Sequence, residues 1–130
     1  MPKFQITVPL REGDEATIDV EAIKGTDHLV IHRTVTRGYP PLPEHTWSVT
    51  HRPSGEILLQ ARRKATAQGA AEYLAALDEK GGLGLGRDKE ALLADKPAVK
   101  ILLDVRGRAA RWDRVRPKDR GRPPVSWWEA

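Results

Sequence analysis

Eight basic side chains, Arg106, Arg108, Arg111, Arg114, Arg116, Lys118, Arg120 and Arg122, crowd into one C-terminal window with only two acidic residues, Asp113 and Asp119. The window carries +6 while the whole chain carries +4, so everything outside it sums to −2. A guanidinium fork matches the oxygens of a phosphate and can hold it bidentately. A run of such forks attracts a polyanion and releases its counterions. Trp112 lies inside the run and offers a face on which an unpaired base can stack. These nine residues are the candidate contacts to DNA or RNA. Arg62-Arg63-Lys64 is a second, smaller basic cluster upstream.

The other reactive residue types do not assemble into a centre. His28 and His32 share a strand face but stand about 13 Å apart at the strand rise, too far to share a metal. Setting His32 opposite His51 would turn the apolar residues of their strands to opposite faces. Pairing Val35 with Val49 keeps the faces consistent and separates the two imidazoles. Zinc also needs further ligands, so no metal is expected. Gly82-x-Gly84-x-Gly86 lacks the following lysine and hydroxyl of a phosphate loop and comes after a helix, so it reads as a flexible connection. The carboxylates fall at turns and solvated faces, with no pair in an apolar setting that would split their pKa values. Ser48, Ser54 and Ser126 lack a nucleophile-elbow context, and there is no cysteine. The expectation is a protein that binds, with no catalytic residues and no cofactor.

Those contacts need a scaffold. Phe4, Ile6, Val8 and Leu10 alternate with polar residues, as do Ala16, Ile18, Val20 and Ala22; period two argues for strands. The Arg11–Glu15 loop sets Ile6 opposite Val20 and Val8 opposite Ile18. Lys24-Gly25-Thr26-Asp27 puts glycine first of two central turn residues, which pairs Lys24 with Asp27, Ala22 with Leu29 and Val20 with Ile31. A third strand runs to about Arg37, an exposed proline-rich loop covers Gly38–Pro43, and a fourth strand spans Thr46–Arg52. The turn at Gly55 pairs Arg52 with Glu56, His51 with Ile57, Val49 with Leu59 and Trp47 with Ala61. The expected sheet is a five-stranded antiparallel meander. Phe4, Ile6, Val20, Ile31, Val49 and Leu59 share its apolar face, while His32, Thr34, Ser48 and Thr50 lie on the open one.

Ala65–Lys80 is an alanine-rich helix whose stripe of Ala67, Ala70, Ala71, Leu74 and Leu77 covers that apolar face. Asp88 caps a short helix. For residues 98–106, alternation of Val99, Ile101, Leu103 and Val105 and their β-branched content favour a strand. Ala98, Ile101, Leu102, Val105 and Ala109 also fit a helical face. The result is an α+β chain with a core domain over 1–105 and an Arg-rich arm over 106–130. Trp127-Trp128 at its end is expected to dock on the body.

Arg62 to Leu74 resembles the last helix of a double-stranded-RNA-binding domain, where basic residues open an alanine-rich helix after a β-hairpin. The chain departs from that family because strands, too many of them, precede the helix. Several strands followed by a helix are also similar, in topology alone, to Whirly-type single-strand DNA binders. Neither family is assigned. The expected function is nucleic-acid binding or an accessory role through the basic arm. The alternative is a protein-interaction module acting through Trp127-Trp128 or the open sheet face. Edge strands would permit a homodimer. No apolar run approaches membrane-spanning length, no signal-peptide core is present, and cysteine is absent, so a cytoplasmic location without membrane attachment is expected.

Overall fold

Alternation in the first half of the chain and helical periodicity in the second build two layers. The computed structural model describes residues 3–9, 13, 15–35, 43–114 and 121–129. Strands β1 (Lys3–Pro9), β2 (Glu15–Ile23), β3 (Thr26–Val35), β4 (Pro43–His51) and β5 (Glu56–Ala61) form one antiparallel meander in chain order. They are followed by helices α1 (Lys64–Glu79), α2 (Lys89–Ala94), α3 (Lys96–Trp112) and α4 (Val125–Glu129). The fold is α+β. Helix α1 packs across β2 to β5, α3 packs on α1 and β5, and α4 rests on both α1 and α3. The segment expected as a proline-rich loop lies outside the described residues, except that Pro43 opens β4.

The meander is as expected, but its apolar residues do not all share one face. At the β2–β3 turn Ile23 pairs with Thr26, so Lys24 and Gly25 are the central residues and Gly25 is second, not first. Its φ is still positive, at 90°, a conformation glycine adopts without penalty. An irregularity follows, and the ladder resumes with Ala22 opposite Val30 and Glu21 opposite Ile31. That is one residue away from the Ala22–Leu29 register. A one-residue slip exchanges the faces of a strand, so the apolar set of β1 and β2 swings away from α1.

Two clusters result. Ile23, Leu29, Ile31, Val49, Leu59 and Ala61 face α1, where Ala67, Ala70, Ala71 and Leu74 are fully buried. Ile18, Val20 and Val30 form a second cluster on the opposite face, with Phe4 and Ile6 packed against it. On that same side His32, Thr34, Ser48 and Thr50 are buried, which corrects the expectation of an open polar face. They survive burial by bonding to one another. His32 Nε2 lies 2.7 Å from the Thr50 hydroxyl, Thr34 Oγ1 lies 2.6 Å from Ser48 Oγ, and Thr46 Oγ1 donates to Thr34 Oγ1 at 2.7 Å.

The β1–β2 and β3–β4 registers moved by an even number of residues and so kept their faces. Ile6 pairs with Ile18 and Phe4 with Val20, and Ile31, not Val35, lies opposite Val49. Trp47–Ala61 and Val49–Leu59 are as expected, but a bulge then sets Thr50 against Ile57 and His51 against Glu56.

Residues 98–106 are helical, which corrects the strand favoured for them. A strand would bury Leu103 beside Val105, yet Leu103 is 58% exposed while Ala98, Leu102, Val105 and Ala109 are buried. Those four positions recur at helical spacing and meet a helix and a sheet edge at once. The start is fixed by Asp95, whose carboxylate accepts from the Ala98 N–H at 3.1 Å, with Pro97 in the first turn. Residues 82–86 are not a loose connection either. Leu83 and Leu85 insert into the main core, and the loop is pinned by Asp78 to the Leu85 N–H at 2.8 Å and by His51 to the Leu85 carbonyl at 2.7 Å.

Candidate nucleic-acid interface

Because α3 runs continuously from Lys96 to Trp112, the first residues of the basic window are its last two turns. Arg106 and Arg111 are exposed there, as is Arg114 just beyond, and none has an ion-pair partner among the described residues. Arg108 points the other way. Its Nε pairs with Asp104 at 2.8 Å and its Nη1 donates to the Trp127 carbonyl at 2.9 Å. Arg122 pairs with both carboxylate oxygens of Glu72 on α1. Arg116, Lys118 and Arg120 lie outside the described residues.

Trp112 closes the window on itself. Its ring meets Trp127 edge-on at a centroid distance of 5.1 Å, and its Nε1 donates to the Gly121 carbonyl at 3.0 Å. Trp127 Nε1 donates to the Arg108 carbonyl at 3.0 Å, and Trp128 is buried, stacked on Tyr73 at 5.9 Å. The tryptophan pair therefore docks on the body as expected. Gly69 makes this possible, because a side chain there would stand 2.8 Å from the Pro123 ring.

The upstream cluster divides. Lys64 pairs with Glu21 at 2.6 Å and lies over the Trp47 ring. Arg63 is held by Asp113 at 3.3 Å and by the Trp112 carbonyl at 2.7 Å, and its Nη1 is a buried donor without a hydrogen-bond partner among the described residues. Arg62 is exposed, and its side chain has no hydrogen bond or ion pair among the described residues. It lines a groove of about 240 Å³ with Thr46, Gln60, Ala61, Ala110, Asp113 and Arg114.

No protein-family model, curated protein or solved structure matches this chain.

Asp113 organises the site. Its Oδ2 accepts from the Arg62 N–H at 2.7 Å, and its Oδ1 accepts from the Thr66 hydroxyl at 2.7 Å as well as from Arg63. Placed just after α3, this carboxylate ties the chain entering α1 through the Arg62 N–H and the Arg63 and Thr66 side chains, at the end of the helix where its dipole favours an anion. In the sequence Asp113 only lowers the formal charge of the arm. One of only two acids inside a basic run is a signal in the sequence, but nothing local says that its donors lie some fifty residues upstream. The structure brings Arg62 and Arg114 to one groove and puts Arg106 on the same flank, one turn before Ala110. It sends Arg108 and Arg122 to internal partners.

Proposed function

We propose that this chain is a small, non-enzymatic nucleic-acid-binding protein whose contact surface is the end of α3 and the basic residues that follow it. The supporting observation is that Arg106, Arg111 and Arg114 are exposed on one helix end without ion-pair partners among the described residues. Unpaired guanidiniums repel one another and are stabilised when a polyanion supplies the counter-charge. Arg116, Lys118 and Arg120 add formal positive charge to the sequence between Arg114 and Gly121, and Trp112 joins those two flanks by donating to the Gly121 carbonyl. The protein-interaction alternative has less to stand on, since Trp128 and the His32–Thr50 network are buried. A homodimer through the edge of β1 is compatible with this surface. No helix among the described residues is long and apolar enough to cross a membrane.

Fluorescence-anisotropy titration with single- and double-stranded DNA and RNA at two salt concentrations tests the proposal. Binding is expected to weaken steeply with salt. The Arg106→Gln/Arg111→Gln/Arg114→Gln triple variant should keep its circular-dichroism spectrum and melting temperature while its affinity collapses. Failure of the unmodified chain to bind any of the four at low salt would reject the function.

A further inference from the structure

We infer that the groove between the ends of β5 and α3 seats one backbone phosphate of the bound strand, clamped between Arg62 and Arg114; this rests on the nucleic-acid reading above. Both arginines line the groove, and both are exposed. They are distant in sequence and are brought together by Asp113, which neighbours Arg114 and takes the Arg62 N–H at 2.7 Å. Their backbones are therefore fixed relative to each other before any ligand arrives, which lowers the ordering cost of binding.

The carboxylate beside them does not cancel the site. Both of its oxygens are already engaged by Arg62 N–H, Thr66 and Arg63, so its charge is turned inward. Arg62, Arg63, Arg114 and Asp113 together sum to +2. Thr46 and Gln60 supply a polar rim, and Thr46 already donates its proton to Thr34. The groove, about 240 Å³, is open to solvent and large enough to admit a phosphate. A tetrahedral diester presents two free oxygens, one to each fork.

The experiment follows fluorescein-labelled oligo(dT) binding to the full chain across a salt series. Arg62→Gln and Arg114→Gln should each weaken binding and reduce the log–log salt slope by about 0.7, one single-strand phosphate contact. One shared phosphate requires the double variant to lose no more slope than either single, whereas a loss of about 1.4 means two separate phosphates and overturns the clamp. Arg106→Gln should add to either. Intact binding in both single variants, with the unmodified chain binding normally, overturns the groove and leaves the proposed function standing. Equal binding of poly(Glu) at matched salt also overturns it. If the unmodified chain binds no nucleic acid, an NMR titration with inorganic pyrophosphate decides separately. Shifts centred on the Arg62 and Arg114 Nε–H signals support the anion site, and their absence overturns it.

Discussion

His51 and Asp113 each tie distant segments together through a single side chain. His51 Nε2 donates to the Leu85 carbonyl at 2.7 Å while its Nδ1 faces the Ser54 hydroxyl at 2.8 Å. Burial holds its pKa below the ordinary value of 6.5, the Leu85 carbonyl acts the other way, His28 adds to the lowering, and Asp78 opposes it. A histidine whose folded pKa is depressed takes up its proton more readily when unfolded. Its contribution to stability is complete above pH 6.5 and is lost as pH falls through the folded value. Asp95, also lowered, by the Ala98 N–H first and then by Arg87, loses its contribution only below its ordinary 3.8. Urea midpoints should therefore drop on acidification just below pH 6.5, and His51→Gln should flatten that step. Asp113 is nearly inaccessible, its side chain 5% exposed. Asp113→Ala strands the Arg63 guanidinium and the Thr66 hydroxyl, and should destabilise by about 2–4 kcal/mol. A denaturation curve that matches the unmodified chain would remove its clamping role.

Among the elements, α4 is too short to be stable alone, so its helicity depends on what it docks against. Trp128 stacks on Tyr73, and Pro123 sits over Gly69 in the middle of α1. Alanine usually favours a helix interior over glycine by about 0.5–1 kcal/mol. At Gly69 the added carbon would stand 2.8 Å from the proline ring, a separation that demands movement of a rigid group. Overpacking of that kind should outweigh the propensity gain, with Gly69→Ala destabilising by about 1–3 kcal/mol. Tryptophan emission should shift to the red and protease should cut earlier near the C-terminus. Unaltered emission together with a higher melting temperature would show that the segment yields freely.

Across the whole molecule, the sheet separates two apolar clusters with different partners. Leu74 belongs to the cluster under α1, Val20 to the one on the other face. Leu74→Ala should destabilise by about 2–5 kcal/mol. Combined with Val20→Ala it should be additive to within about 0.5 kcal/mol, because the sites share no packed neighbour. A larger coupling in a double-mutant cycle would mean that both residues contact one core. The charge is segregated on the same scale. The basic end of α3 stands against a body of slight negative charge, an arrangement that orients a polyanion as it approaches.

The order of five strands and a long helix is written in the sequence because alternation, alanine content and capping residues act locally. The stripe from Ala67 to Leu74 and the Asp88 cap follow from spacing alone. The basic window is equally legible, since formal charge needs no fold. Register is different. Lys24-Gly25-Thr26 accepts glycine as first or second central residue, and one residue of slip decides which face Val20 and Thr34 occupy. Only packing against α1 selects between those alternatives. The segment at 98–106 carried both periods, and the neighbours available to Leu102 and Val105 resolved it as helix. The pairing of Arg62 with Arg114 through Asp113 is of the same kind. It joins residues far apart along the chain, and a linear charge pattern contains no information about which of its arginines will be answered from within. Composition and local periodicity determined the elements and the sign of the surface, and tertiary contacts, which act only between groups the fold brings together, decided the faces and the geometry of the site.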